Sequence, residues 1–217
     1  MTLESPAAGQ LPSADTSLLA PQPVLYLHRT RFRYTGEADP TAPGGMAEIY
    51  RALIADDARL EQIVTDVLTA HRAGANILVL TTWIDHLNAI AERLGAAGKS
   101  VVVLSGQMKA RERREISEQL ANHTADTEPL LITGTGSFIG EGFDCPVLDT
   151  LFLAAPITFK SRLVQYVGRI TRPHSAKTTA TVHDYHDELT PVLAPSLRKR
   201  APGYPKLGFP DPRTLVR

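Results

Sequence analysis

The sequence predicts an α/β fold in which a parallel sheet is sandwiched by helices. Short apolar runs recur along the chain, and stretches of about a dozen residues with helical periodicity separate them. The runs lie at 76–80, 101–104, 130–132, 150–153 and 179–185. The first four are almost continuously apolar, which is typical of strands buried on both faces, and strands that alternate with helices pair in parallel. We therefore expect one parallel sheet with right-handed helical crossovers.

The composition excludes several classes of protein. Lys+Arg and Asp+Glu balance at 23 each in 217 residues, so any surface for nucleic acid has to be local. A single cysteine, Cys145, excludes internal disulfides, and the seven histidines lack zinc-ligand spacing, so no metal site is expected. We find neither an apolar run long enough to span a membrane nor a secretory leader. The expectation is a cytoplasmic protein without a membrane partner.

The chain divides into four predicted parts. Residues 1–23, rich in Ala, Ser and Pro, are expected to be a disordered leader or linker. Residues 24–46 hold a strand or hairpin arm followed by a loop. The main domain is expected over 47–190, beginning with two helices or one bent helix, and 191–217 form a short helix and a Pro/Gly-rich tail.

The strand predicted near 24–34 alternates apolar with basic residues. Its basic members are His28, Arg29, Arg31 and Arg33. They indicate either a contact with nucleic acid or an exposed edge strand protected by charge, and we favour the edge strand.

Three polar residues of the segment 165–173 are spaced for one helix face. Gln165, Arg169 and Arg172 stand at i, i+4 and i+7, while Tyr166, Val167 and Ile170 point elsewhere. Two guanidiniums and an amide on one stripe suit a phosphate, because guanidinium offers planar, permanently charged donors. A solvated helix face is the alternative reading of the stripe.

Small and polar residues follow several of the predicted strands. They are Thr81, Thr82, Ser105 and Gly106, together with the segment 133–136. Ligands of open α/β sheets gather at the carboxyl ends of the strands, where hydroxyl groups and free backbone N–H groups suit phosphate oxygens. Helix capping and turn formation explain any one of these residues equally well.

Two apparent phosphate loops do not fit their motifs. The segment 95–100 ends like a P-loop, but Arg93 occupies the position of the first glycine and a helix precedes it. The segment 134–140 reads GxGxxxG, which is not a dinucleotide fingerprint. The next segment, 140–146, places glycines around an acidic residue, and Asp144 can accept from a ribose hydroxyl or hold an arginine.

Four stretches together resemble the second RecA-like lobe of superfamily 2 helicases and translocases. ILVLTT (77–82) resembles motif IV and VVVLSG (101–106) the strand and turn that follow it. LLITGTGSFIGEGFDCP (130–146) resembles motif V, and QYVGRITRP (165–173) resembles motif VI. The resemblance covers about 47–187 and is most specific in motifs V and VI. The sequences of these motifs are most similar to those of bacterial DEAD/DEAH-type proteins related to restriction-enzyme translocase subunits.

The resemblance implies a fold and a set of site residues. The fold is the RecA-like helicase C-terminal lobe, of the P-loop NTPase type. Arg169 and Arg172 would be arginine fingers on the γ-phosphate of ATP, and Gln165 would contact that phosphate or the attacking water. The residues implied near the nucleotide are Gly142, Asp144 and Gly168. Those implied to contact the nucleic-acid backbone are Thr81, Thr82, Ser105, Gly106, Thr133 and Gly134.

The sequence also departs from the family pattern. Gln165 stands where many relatives have His, and the insertion-like residues 136–139 blur whether Thr133 or Thr135 contacts phosphate. The chain contains no GxxxxGKS or GxxxxGKT motif and no Asp-Glu pair that ends a buried strand, so ATP and its Mg²⁺ would be held by an N-terminal lobe supplied in cis or in trans.

Two functions are therefore considered. The chain is expected to be the second lobe of an ATP-dependent helicase, inactive as an ATP hydrolase when alone, with DNA rather than RNA as its partner. The alternative is a non-catalytic module that binds nucleic acid or protein and keeps the helicase-lobe fold.

Overall fold

The computed structural model describes residues 20–121, 123, 127–136, 145–156, 160–174 and 177–215. The strands in these ranges are β1 (Gln22–Arg29), β2 (Ile77–Thr81), β3 (Val102–Leu104), β4 (Leu131–Thr135), β5 (Thr150–Leu153) and β6 (Thr179–His186). The helices are α1 (Gly45–Ile54), α2 (Asp57–Arg72), α3 (Ile84–Ala96), α4 (Ala110–Ala121), α5 (Lys160–Ile170) and α6 (Pro195–Arg200). Three single-turn 3₁₀ helices follow at Ala201–Gly203, Pro205–Leu207 and Pro212–Thr214. The predicted leader, residues 1–23, lies mostly outside these ranges.

The strands form one sheet in the order β1-β6-β5-β2-β4-β3. Every neighbouring pair is parallel. The predicted fold class, a parallel sheet with helical crossovers, is confirmed.

Helices cover both faces of the sheet, and the central strands β2, β4 and β5 are therefore buried along their whole length. On one face, Ile63 and Val67 of α2 and Ile90 of α3 pack against Ile77 and Val79 of β2. The opposite face packs against α5 and the C-terminal 3₁₀ helices. Its buried contacts include Leu78, Leu80, Leu163, Val167, Ile170, Tyr204 and Phe209. Alternate residues of β2 thus serve the two helical layers.

The predicted strand near 24–34 is an edge strand of the main sheet rather than a hairpin arm. β1 pairs with β6 from Gln22↔Thr179 to Arg29↔His186. Arg29, Arg31 and Arg33 are exposed, as expected for a charged edge. His28, however, points towards α2, where its ring stacks on Tyr185.

The apolar stripe over 47–73 forms two helices, α1 and α2. The break occurs at Asp56, whose backbone is extended and whose carboxylate accepts a hydrogen bond from the backbone N–H of Arg59 at 2.7 Å. Asp56 is therefore an N-cap, and this capping bond starts a new helix.

The C-terminal segment is an integral part of the lobe. Arg200 donates from Nε and Nη2 to the two carboxylate oxygens of Asp184, at 2.8 and 2.7 Å. The hydroxyl of Tyr204 donates to the same carboxylate at 2.7 Å. Both Arg200 and Tyr204 are fully buried. The segment thereby covers β6 and packs against α5, where a Cβ at Gly203 would lie 3.0 Å from Leu163.

In the described part of the chain, no helix has both the length and the apolar character needed to cross a membrane.

Candidate functional site

Helix α5 presents one anchored side and one open side. Tyr166, Val167 and Ile170 are buried in the core. Gln165 is exposed and Arg169 is partly exposed on the other side of the helix. The predicted separation of polar and apolar residues is therefore observed for Gln165 and Arg169.

Arg172 does not belong to the helical stripe. α5 ends at Ile170, so the expectation of one helix face through position i+7 is wrong for this residue. The ammonium group of Lys177, which is buried, donates to the backbone carbonyls of Ile170 at 3.3 Å and Arg172 at 3.2 Å. These bonds close the C-terminus of the helix, and Pro173 cannot continue it. Arg172 is exposed in the bend that follows.

The end of β4 packs directly against α5. A Cβ atom at Gly136 would collide with the hydroxyl of Tyr166. Any larger residue at the point where the motif V strand meets the motif VI helix would force Tyr166 to move.

The residues predicted near the nucleotide are only partly described. Gly142 and Asp144 lie outside the described residues. Gly168 lies on α5, and a Cβ there would meet no atom within 4 Å apart from its own helix. Packing among the described residues therefore does not demand glycine at this position.

Six residues were predicted to contact a nucleic-acid backbone, and the structure divides them into two groups. Thr82 and Gly106 are exposed and Ser105 is partly exposed, just beyond the carboxyl ends of β2 and β3. Thr81 and Thr133 are buried, and Gly134 is buried inside β4. The predicted run at 130–132 is part of β4, which continues to Thr135, and this extension draws Thr133 and Gly134 into the sheet.

The hydroxyl of Thr81 already has a protein partner. Its Oγ1 lies 2.9 Å from Nδ1 of His86 in the first turns of α3. Burial, together with the positive charge of Arg59, lowers the pKa of His86 to about 3. His86 is therefore neutral near pH 7, and the pair ties the end of β2 to α3.

A buried ion pair at the carboxyl edge of the sheet was not predicted. Nε and Nη2 of Arg59 donate to the two carboxylate oxygens of Asp187, at 2.7 and 3.3 Å. The hydroxyl of Thr30 donates to Oδ1 of Asp187 at 2.7 Å. One sequence signal for this pair exists, since Arg59 stands four residues before Ile63 and so falls on the apolar face of its helix.

We find no group of three or more His, Cys, Asp or Glu side chains placed to hold a metal ion within the described ranges. Cys145 is buried.

The helicase conserved C-terminal domain family matches residues 58–174, which is more than half of the chain. Over 49 residues the chain is 49% identical to the uncharacterized protein 108L of invertebrate iridescent virus 3, a match that covers 23% of this chain and 45% of the viral protein. The chain thus spans less than half of this curated relative.

Solved structures show the same fold at low sequence identity. T4 UvsW superposes with a TM-score of 0.64 at 19% identity, over 87% of this chain and 40% of its own. The E. coli DEAD-box protein SrmB, solved bound to regulator of ribonuclease activity A, superposes with a TM-score of 0.53 at 19% identity. The match covers 68% of this chain and 81% of the SrmB chain. The ATP-dependent Type ISP restriction-modification enzyme LlaBIII, bound to DNA, superposes with a TM-score of 0.52 at 20% identity. The match covers 76% of this chain and 12% of the LlaBIII chain. The chain belongs to the helicase conserved C-terminal domain family, and its fold is that of a RecA-like helicase lobe.

Proposed function

We propose that this lobe serves in nucleic-acid-dependent ATP hydrolysis by a helicase or translocase. Arg169 and Arg172 would stabilise the charge that develops on the γ-phosphate of ATP, and Gln165 would orient the phosphate or the attacking water. The observation that carries the proposal is the geometry of α5. Its buried side fixes the helix, while Gln165 and Arg169 stand on the open side and Arg172 follows at its end.

The triphosphate and Mg²⁺ would be held by an N-terminal lobe, in cis or in trans. This chain has no Walker A sequence, and it spans only 40% of T4 UvsW. An arginine finger accelerates hydrolysis only of a phosphate that another group positions. The isolated chain is therefore expected to hydrolyse ATP at a negligible rate.

Nucleic acid would bind at the carboxyl ends of β2 and β3. Thr82, Ser105 and Gly106 are accessible there, and hydroxyl and backbone N–H groups suit phosphodiester oxygens without reading sequence. We restrict the contact to these three residues, because the side chains of Thr81 and Thr133 are buried. DNA is the proposed partner, in line with the DNA held by LlaBIII.

The proposal is tested by the rate of ATP hydrolysis in the two-lobe enzyme. The chain is combined with the lobe that carries the Walker A sequence, and hydrolysis is measured with and without single-stranded DNA. Arg169→Ala and Arg172→Ala are each expected to lower kcat by a factor on the order of 10³. Arg72→Ala is the matched control, since Arg72 is exposed at the last turn of α2, which covers the other face of the sheet from α5.

An unchanged kcat in both finger variants would show that the assignment of Arg169 and Arg172 is wrong. DNA binding without any stimulated hydrolysis would favour the non-catalytic binding module.

A further inference from the structure

A cavity lies near the amino ends of β5 and β6, on the face of the sheet that α2 covers, whereas α5 packs on the other face. Its volume is about 440 Å³, it is open to solvent on one side, and it is lined by the C-terminal half of α2 and by β5, β6 and β1. Small residues form both walls. Ala70 and Ala73 line the helix side, and Thr150 and Thr181 line the sheet side. This volume falls in the range of small-molecule sites in proteins.

Three polar side chains are linked by short contacts, and the last of them lines the cavity. Oδ2 of Asp66 lies 3.3 Å from Nδ1 of His28. Nε2 of His28 lies 2.9 Å from Nδ1 of His183, and His183 lines the cavity. The ring of His183 is held in place by Phe152, with a centroid separation of 4.1 Å and an interplanar angle of 15°.

The carboxylate decides which ring nitrogens carry protons. A carboxylate beside Nδ1 of His28 favours the proton on that nitrogen, so Nε2 of His28 becomes an acceptor. Nδ1 of His183 then donates to it, which leaves the lone pair of His183 on Nε2. The structure shows no hydrogen-bond partner for Nε2 among the described residues, and His183 lines the cavity. The opposite arrangement would place a lone pair of His28 against the Asp66 carboxylate.

The electrostatics of the lining select the charge of a ligand. Asp66 and Asp149 line the cavity, and no Lys or Arg is among its described lining residues. Burial, together with the nearby His28, lowers the pKa of His183 to about 3, so His183 stays neutral and accepts hydrogen bonds at pH 7. Tyr26 adds an aromatic wall that is 52% exposed and lies 5.0 Å from His183 between ring centroids.

We propose that this cavity binds a small planar organic cation of the amidinium or guanidinium class. An N–H of the ligand would donate to Nε2 of His183, its charge would face Asp66 and Asp149, and its plane would lie against Tyr26. The cavity is separate from the proposed ATP site and does not depend on that function.

Three isosteric probes that differ in charge test the proposal on the chain alone, without ATP or nucleic acid. Benzamidine is a cation, benzamide is neutral and benzoate is an anion. Titrations followed by NMR are expected to show that benzamidine shifts the resonances of Tyr26 and His183, with an affinity at least tenfold above that of benzamide. Benzoate is expected to cause no shift there. Equal binding of benzoate, or no shift with benzamidine at millimolar concentration, would overturn the proposal.

The imidazole ¹⁵N shifts of the unliganded chain test the proton arrangement directly. His183 is expected to carry its proton on Nδ1, and a proton on Nε2 would contradict the relay. Two variants then test the relay and the wall. Asp66→Asn is expected to change the tautomer of His183 and to weaken benzamidine binding at least fivefold, whereas Tyr26→Ala is expected to weaken binding and leave the tautomer unchanged. Asp85→Asn, an exposed change on α3, is the control and should alter neither.

Discussion

Two serines at opposite ends of β3 provide a matched pair of positions, one at the proposed nucleic-acid surface and one at the other end of the strand. Ser105 follows the carboxyl end of β3, and Ser100 lies two residues before its first residue, Val102. Both are at least partly exposed. The two residues have the same side chain and lie at opposite ends of β3, so a substitution at each differs mainly in its position on the lobe.

Ser105→Glu is expected to weaken binding of single-stranded DNA, because a carboxylate would face the phosphodiester backbone. The loss should be on the order of tenfold at low salt and smaller at high salt. Fluorescence anisotropy with a labelled oligothymidine at two salt concentrations measures it. Ser100→Glu adds the same charge at the other end of the strand and should leave the affinity nearly unchanged. Equal losses in the two variants would place the DNA elsewhere on the lobe.

The residues that sequence periodicity located correctly are those whose environment is set within their own element. Gln165 and Arg169 fell on the open side of α5 because Tyr166 and Ile170 define the buried side through the helical repeat. Arg172 was misplaced because Lys177, in a later segment, closes the helix through backbone carbonyls. The direction of His28 was likewise beyond local patterning, since it depends on β1 pairing with β6.

At the scale of elements, the buried pair of Arg59 and Asp187 joins three pieces of the chain. It links the first turn of α2, the residue after β6 and, through Thr30, the residue after β1. Both charged side chains are almost completely buried. Removal of one partner therefore leaves an uncompensated charge in the interior.

Asp187→Ala is expected to lower the free energy of unfolding by about 3–5 kcal/mol, because Arg59 then keeps its charge without a partner. Urea denaturation of the chain measures the loss. The double variant Arg59→Met/Asp187→Leu should recover most of it, since no buried charge remains. Asp57→Ala breaks an exposed ion pair with Arg93 and serves as the control, with a far smaller effect. A loss in Asp187→Ala no larger than in this control would contradict the interpretation.

The order of strands was less predictable than their existence. Apolar runs identified β2, β4 and β5 because burial on both faces leaves a local trace in the sequence. The run at 101–104 also identified β3, but burial on both faces was wrong there, since β3 is an edge strand with Val103 exposed. The sheet order β1-β6-β5-β2-β4-β3 and the coverage of β6 by Arg200 and Tyr204 depend on contacts between distant segments. A Pro/Gly-rich segment gives no local sign that it completes a core.

At the scale of the whole molecule, the family match and the folded unit have different limits. The match ends at 174, so β1, β6 and the C-terminal segment lie outside it. All three nevertheless complete the same structure. β6 covers the edge of β5 in parallel register, and Tyr204 and Phe209 pack into the core that holds α5.

A fragment of residues 58–174 is therefore expected not to fold cooperatively, whereas a fragment of residues 20–215 should do so. The shorter fragment leaves β5 with an unpaired edge and exposes the apolar side of α5. Domains of this size are stable by only about 5–15 kcal/mol, so the loss of these buried contacts is expected to unfold the shorter fragment. Circular dichroism during urea unfolding should show a sharp transition for 20–215 and a broad one, with hydrophobic dye binding, for 58–174. A matching sharp transition in the shorter fragment would mean that β6 and the C-terminal segment are dispensable, and that α5 is held in place by β4 and β5 alone.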